Sequence, residues 1–141
     1  MVERAVAPSD RMGGQQRHAT VLFCDLSGYT SLVAGRRDRL PAVARITSML
    51  ELAAQRIITK HRGLLNEVRG DGVVALFGLP SNDEFDVRDA IEAAFELHQA
   101  MDEITATAGL ADFGSLKLHS GIHSGLVFIE RGTHDKRVYR I

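Results

Sequence analysis

One acidic residue stands where an apolar run meets a turn of small residues. Asp25 ends the run ATVLFCD (19–25), and the turn LSGYT (26–30) follows it directly. A carboxylate in this position either caps the next helix or binds a cation. The turn offers consecutive backbone N–H groups, and its glycine allows a phosphate to approach closely. Asp25 is therefore a candidate metal ligand. The candidate phosphate-binding residues are Leu26, Ser27, Gly28, Tyr29 and Thr30.

A second acid lies in the stretch NEVRGDGVVALFG (66–78). Its Gly-Asp-Gly segment separates two strand-like runs, and this pattern is typical of a tight β-hairpin. Asp71 is therefore predicted at the hairpin tip. An acid at a hairpin tip is most often only a turn residue, so its function depends on what the fold brings near it.

The flanking segments predict the elements that position these two acids. The run 19–25 is apolar throughout, which is typical of a central strand that is covered on both faces. Two helical patterns follow, the first ending at Gly63 and the second capped by Asp83. Segment 116–130 reads as strand, glycine turn and strand. The apolar helix positions are Leu40, Val43, Ile46, Leu50, Ala53 and Ile57, then Val87, Ile91, Ala94, Leu97, Met101 and Ile104.

The order β, α, β, β, α, β, β predicts an α+β sandwich of ferredoxin-like type. Two main helices would cover one face of a mainly antiparallel sheet, with the first strand in a central position. The first strand and the hairpin would then be neighbours, so Asp25 and Asp71 should converge. Two carboxylates at one site repel each other unless a proton or a cation lies between them, and Mg²⁺ prefers such hard oxygen ligands.

Composition narrows the classes of function. The 141 residues carry 17 basic and 18 acidic side chains, so charge gives no case for a nucleic-acid or membrane partner. Cys24 is the only cysteine, which excludes an intramolecular disulfide and favours a reducing compartment. No signal peptide or apolar run of about 20 residues is present, so we expect a cytoplasmic protein. Residues 1–17 are expected to form a flexible leader before a domain over 18–141.

Other sites built on a strand-end aspartate or on histidines fit less well. Haloacid-dehalogenase phosphatases carry a second acid two residues after the first, where this chain has Ser27. The three spaced glycines of a dinucleotide-binding turn are missing. His119 and His123 are four residues apart, about 13 Å along an extended strand, which is too far for one metal ion. They are interpreted as core or surface residues.

Three blocks together resemble the class III adenylate and guanylate cyclase catalytic domain. They are VLFCDLSGYTSL (21–32), NEVRGDGVVALFG (66–78) and LHSGIHSGLVF (118–128), and the similarity covers roughly residues 18–141. The resemblance implies a nucleotide cyclase fold and the conversion of ATP or GTP to a 3',5'-cyclic nucleotide and pyrophosphate. It also implies two Mg²⁺ or Mn²⁺ ions bridging Asp25 and Asp71, assisted by the Leu26 carbonyl, with the 26–30 amides holding the triphosphate.

The chain departs from the family pattern at two places. Glu67 stands where the adenylate cyclases usually carry a lysine, and its carboxylate favours guanine or a loss of base selection. The blocks with the transition-state asparagine and arginine would begin past Ile141, so the domain is expected to lack its C-terminal portion. No catalytic residue beyond the metal ligands is identified.

Family sites form between subunits, which implies a homodimer or a heterodimer with another cyclase chain. The alternative is a catalytically silent pseudocyclase that binds nucleotide or serves as a regulatory dimerisation module. A diguanylate cyclase is disfavoured, because its glycine-glycine-acid-acid hairpin is missing here.

Overall fold

The described residues form seven helices and strands in the predicted order. The structure is a computed structural model that describes residues 14–29, 38, 40–69, 71–107, 116–131 and 137–140. The elements are β1 (Gly14–Ser27), α1 (Leu40–Lys60), β2 (Leu64–Arg69), β3 (Gly72–Phe77), α2 (Asp86–Thr107), β4 (Lys117–Arg131) and β5 (Arg137–Arg140).

The five strands form one sheet in the order β2-β3-β1-β4-β5, and every pairing between neighbours is antiparallel. The first strand is central, as the apolar run 19–25 predicts. The predicted ferredoxin-like α+β fold is therefore confirmed. The prediction that both faces of the first strand are covered is wrong, because Phe23 is 43% exposed and Asp25 is exposed on one of them. At the end of β1, Asp25 pairs with Gly72 of β3 on one side and with His119 of β4 on the other.

The helices pack on one face of the sheet. Leu22, Cys24 and Leu26 alternate along β1 and point to this face, because successive side chains of a strand point to opposite faces. They are buried together with residues of β3 and both helices, and each large apolar side chain buried there contributes about 1.5–3 kcal/mol. The buried helix residues of this core are Val43, Ile46, Leu50, Ala54, Ile57, Ile58, Ala90, Ala93, Ala94, Leu97, Met101 and Ile104.

The opposite face, which we call the open face, carries the candidate site. A small cluster of Ala19, Val21, Leu76 and Val127 covers part of it. Towards the end of β1, Phe23 is 43% exposed and Asp25 is also exposed. The alternation of side chains thus places Asp25 on the face away from the helices.

The buried stripe of α2 is as predicted from Ala94 onwards and differs from the prediction before it. Val87 and Ile91 are exposed, whereas Ala90 and Ala93 are buried. Alanines allow the helix to approach the sheet closely, so the helix turns its small residues inwards rather than its branched ones. Neither of the two described helices is long and apolar enough to cross a membrane.

The predicted glycine turn within residues 116–130 is wrong. β4 runs without interruption from Lys117 to Arg131, with Gly121 paired to Phe23 and Gly125 paired to Ala19. The reason lies in β1, which begins at Gly14, four residues before the predicted start of the domain at His18. Because β1 is long, Gly121 and Gly125 both pair with it and remain within the strand. Residues 1–13 lie outside the described part of the chain.

The end of α1 is a Schellman motif. The N–H of Gly63 donates to the carbonyl of Ile58 at 2.8 Å, and the N–H of Arg62 donates to that of Thr59 at 3.0 Å. The left-handed residue of the motif is Arg62, with φ of 62°, rather than the glycine. Gly63 is needed for packing instead, since a Cβ there would lie 2.6 Å from Cε1 of Phe77.

The predicted cap of α2 is confirmed. The carboxylate of Asp83 accepts a hydrogen bond from the N–H of Phe85 at 2.7 Å. In return, the carboxylate of Asp86 accepts the N–H of Asp83 at 2.8 Å. This reciprocal pair is a capping box, which satisfies N–H groups that the first helical turn leaves unpaired.

Candidate active site

The end of β1 is joined to the tip of the β2–β3 hairpin. The N–H of Leu26 donates to the carbonyl of Asp71 at 2.7 Å, and Asp25 pairs directly with Gly72. Backbone pairing therefore brings together the two aspartates that the sequence singles out. Asp25 is exposed and Asp71 is half-buried, so solvent and solutes can reach this end of the sheet.

Glycine at position 72 keeps space beside the carboxylate of Asp25. A Cβ on Gly72 would lie 3.0 Å from the carbonyl oxygen of Cys24 and 3.7 Å from Oδ1 of Asp25. The tight contact is with the Cys24 carbonyl, and the Cβ would be at ordinary contact distance from the carboxylate. The donor set consists of carboxylate oxygens next to open space, and this chemistry fits Mg²⁺ or Mn²⁺.

The candidate phosphate-binding turn is described only in part. Ser27 is exposed, Gly28 has a φ of 81° that favours glycine, and the half-buried Tyr29 packs against the core. Thr30 lies outside the described residues. The N–H of Leu26 already donates to Asp71, so the prediction that this amide binds phosphate is revised. The N–H groups of Ser27, Gly28 and Tyr29 are the described candidates that remain.

Glu67, the predicted base-selecting residue, lies on the open face. A bulge between Leu65 and Glu67 shifts the register of β2 so that Glu67 pairs with Val74. The carboxylate of Glu67 accepts a hydrogen bond from Nε of Arg69 at 2.7 Å. This hydrogen bond raises the pKa of the Arg69 guanidinium, and the charge of Asp71 adds to the effect. Arg69 therefore interacts electrostatically with both Glu67 and Asp71, the acid at the hairpin tip.

The two histidines of β4 are surface residues. Their spacing in the sequence left open whether they belong to the core or to the surface. His119 and His123 are both exposed. His119 pairs with Asp25 across the strands, and side chains in such pairs have Cβ atoms about 4.5–5.5 Å apart. Sequence reasoning missed this neighbour of the aspartate. Only the register of β1 against β4 could have revealed it, and no local motif encodes that register.

The single cysteine is structural. Cys24 is buried in the core, and its Sγ lies 3.2 Å from Oγ of Ser120. Burial raises the pKa of its thiol, while the contact with Ser120 lowers it by less. The reactive thiolate is therefore disfavoured, and Cys24 is no candidate nucleophile.

The fold agrees with what comparison with known proteins finds. Residues 13–141 match the family described as the adenylate and guanylate cyclase catalytic domain. The chain belongs to this family. The cyclase domain thus covers nearly all of the chain, and the resemblance seen in the three sequence blocks is confirmed.

Solved cyclases share the architecture of this cyclase domain. The guanylyl cyclase Cya2 is 28% identical, with a TM-score of 0.78 over 92% of this chain and 65% of that one. The adenylyl cyclase CyaB from P. aeruginosa is 22% identical, with a TM-score of 0.74 over 90% of this chain and 66% of that one. At that identity, CyaB supports the fold alone.

Curated relatives of the cyclase domain are mycobacterial. The uncharacterised protein Rv1319c of Mycobacterium tuberculosis is 33% identical over 107 residues, which are 72% of this chain and 19% of the relative. The cyclase domain therefore spans about a fifth of the length of this relative.

Proposed function

We propose that the open face binds ATP or GTP with two divalent ions and supplies the metal-binding half of a nucleotide cyclase site. The observation that carries this proposal is the 2.7 Å hydrogen bond from Leu26 N–H to the Asp71 carbonyl, which fixes Asp71 beside the end of β1. Membership of the cyclase family supplies the class of substrate. The reaction would release pyrophosphate and form a 3',5'-cyclic nucleotide.

The residues of this domain would hold the metal ions and orient the nucleotide. The carboxylates of Asp25 and Asp71 would bind the ions, and the Leu26 carbonyl would be a further ligand. The N–H groups of Ser27 to Tyr29 would contact the phosphates at the end of β1. When bound, such ions acidify the ribose 3'-hydroxyl and offset the negative charge of the phosphates.

During the reaction, the ribose 3'-oxygen forms a bond to the α-phosphorus, and the bond from that phosphorus to the pyrophosphate oxygen breaks. The hydroxyl proton leaves to solvent or base, and pyrophosphate carries away the electron pair. A second chain, identical or different, would complete the site and form the dimer. The proposed role requires neither a disulfide nor a transmembrane helix. It is therefore compatible with a cytoplasmic location.

The test is a binding titration with a GTP or ATP analogue that cannot cyclise. Calorimetry with Mn²⁺ should show analogue affinity at least about 10-fold higher than in the presence of a chelator, because the phosphates are held through the ions. Glu103→Gln, which changes an exposed acid of α2, is the matched control and should bind like the wild type. Equal affinity with and without metal would contradict the proposal.

A measurement of turnover distinguishes a silent pseudocyclase from an enzyme. A domain that binds the analogue with Mn²⁺, yet adds no cyclic nucleotide to the amount that an intact cyclase chain makes alone, is a nucleotide-binding or regulatory module. Cyclic nucleotide that depends on both chains supports the enzyme.

We further propose that Glu67 selects the base. A carboxylate accepts hydrogen bonds from guanine N1–H and N2–H₂ but meets an acceptor at adenine N1. Glu67→Lys should therefore lower the ratio of GTP-analogue to ATP-analogue affinity about 10-fold to 100-fold, the range expected for a hydrogen bond to a charged group. Competition binding measures this ratio.

Arg69→Gln is the control for the partner of Glu67. It releases the 2.7 Å hydrogen bond but keeps the carboxylate, so the preference for guanine should remain. If Glu67→Lys leaves the ratio of GTP-analogue to ATP-analogue affinity unchanged, Glu67 does not select the base. The metal-binding proposal would not be affected.

A further inference from the structure

A second group of metal-ligating side chains lies at the junction of the two helices. His61, just past the end of α1, faces Asp89 and Glu92 in the first two turns of α2. One ligand atom from each residue lies within 4.8 Å of the other two. The Nδ1 atom of His61 is 3.6 Å from Oε2 of Glu92. We propose that these three residues bind a divalent transition-metal ion such as Zn²⁺.

The spacing fits a tetrahedral ion after a small closure. Zn²⁺ binds imidazole nitrogen and carboxylate oxygen at about 2.0–2.2 Å, which places two ligand atoms of a tetrahedron about 3.4 Å apart. The observed separation of 3.6 Å between His61 and Glu92 is close to this value. Three protein ligands leave the fourth position for water. One nitrogen and two carboxylates suit Zn²⁺ better than Mg²⁺, which prefers oxygen alone.

The imidazole of His61 is oriented for this role by a fourth residue. Its Nε2 atom lies 2.9 Å from Oε1 of Glu96, and its side chain is only 11% exposed. A neutral ring that donates Nε2–H to Glu96 presents the lone pair of Nδ1 to Glu92. Metal-ligating histidines commonly donate their second N–H to a carboxylate in this way. Glu96 is thus a positioning residue, and Lys60 holds it at 2.7 Å.

Asp89 can bind the ion while it keeps its hydrogen bonds from Arg62, and the ion would replace its longer contact with Arg88. Its Oδ2 atom accepts both hydrogen bonds from Arg62, whereas its Oδ1 atom has the 3.9 Å contact with Arg88. Oδ1 is therefore the oxygen available for a metal. Asp89 is buried, and Glu92 is half exposed, so the ion would enter from the side of Glu92.

This site is distinct from the one on the open face. The helices cover the opposite face of the sheet, so His61 and Asp25 lie on different sides of the domain. An ion bound at His61 would join α1 to α2 rather than contact nucleotide. The inference therefore does not depend on the proposed cyclase function.

The experiment uses ZnCl₂ alone, without nucleotide, on the chain after treatment with a chelator. In the Asp25→Asn/Asp71→Asn double variant, which lacks the carboxylates proposed to bind ions on the open face, calorimetry should show one saturable site. Thermal unfolding of this variant should shift upwards by about 5 °C or more at saturation, because the ion binds only the folded state. His61→Gln and Glu92→Gln should each weaken Zn²⁺ binding at least about 10-fold. Glu96→Ala should weaken it about 10-fold through loss of the orienting hydrogen bond.

Two variants are controls that should keep the wild-type affinity for Zn²⁺. Glu103→Gln and Asp102→Asn change other exposed acids of α2. If the wild type shows no saturable binding, or if Glu92→Gln binds Zn²⁺ as tightly as the wild type, the cluster is an ion-pair network and the proposal is wrong. Glu92 is half exposed, so its variant should fold even where His61→Gln does not.

Discussion

Replacing either Asp25 or Asp71 by asparagine should weaken Mn²⁺-dependent nucleotide binding about 100-fold, a loss of about 2.7 kcal/mol. Each variant keeps the size of the side chain but loses its negative charge. If both carboxylates hold the same ions, the first substitution already removes most of the metal-dependent affinity. The double variant should therefore be little weaker than either single variant, which is the non-additivity expected of residues that act together.

The same calorimetric titration, run with Mn²⁺ and a non-cyclising analogue, measures all three variants. Asp102→Asn, an exposed acid of α2, is the matched control and should bind as the wild type does. Strictly additive losses for the two aspartates would mean that they act at separate sites. Thermal unfolding should be nearly unchanged in every variant without metal, which separates lost binding from lost folding.

Phe77→Ala should lower the free energy of unfolding by about 3–5 kcal/mol. Phe77 is 1% exposed at the end of β3 and belongs to the core cluster between sheet and helices. Removing its ring leaves a cavity that the packed neighbours fill only in part. Phe95→Ala makes the same change on a ring that is 70% exposed, and it should cost less than about 1 kcal/mol. Urea denaturation measures both.

Gly63→Ala tests the packing around this ring directly. A Cβ at position 63 would lie 2.6 Å from Cε1 of Phe77 and 2.8 Å from Cγ2 of Ile58, so the ring or the chain must shift. We expect a loss of about 1–3 kcal/mol, typical of an overpacked core. In a Phe77→Ala background the clash with the ring is gone and only the contact with Cγ2 of Ile58 remains, so part of this cost should disappear. An equal cost in both backgrounds would show that Phe77 does not limit position 63.

The fold was largely predictable because the relevant patterns are local. The apolar run of β1, the Gly-Asp-Gly hairpin and the cap at Asp83 each depend on residues close in sequence. Once the order of elements was known, the few topologies open to it brought Asp25 and Asp71 together. The family resemblance then gave this convergence a chemical meaning, although the roles of the individual residues remain proposals.

The parts that were not predicted depend on distant partners. Gly121 and Gly125 read as a turn, but pairing with β1 extends the strand through both. Val87 and Ile91 read as core residues, but the sheet accepts the smaller alanines of α2 instead. The N–H of Leu26 looked free for phosphate until the hairpin supplied an acceptor. The bond between His61 and Glu96 joins residues 35 positions apart, and no spacing rule connects them.

The pairing of β1 with β4 also governs how this domain comes to be folded. The paired residues are about 100 positions apart, so during synthesis β1 must await a strand made about 100 residues later. Closing so large a loop carries an entropic cost before any contact repays it, and distant pairings slow folding. Until β4 emerges, one edge of β1 with its apolar run 19–25 is open to other chains. We therefore expect the nascent chain to need chaperones, or rapid folding once β4 is made, to avoid aggregation.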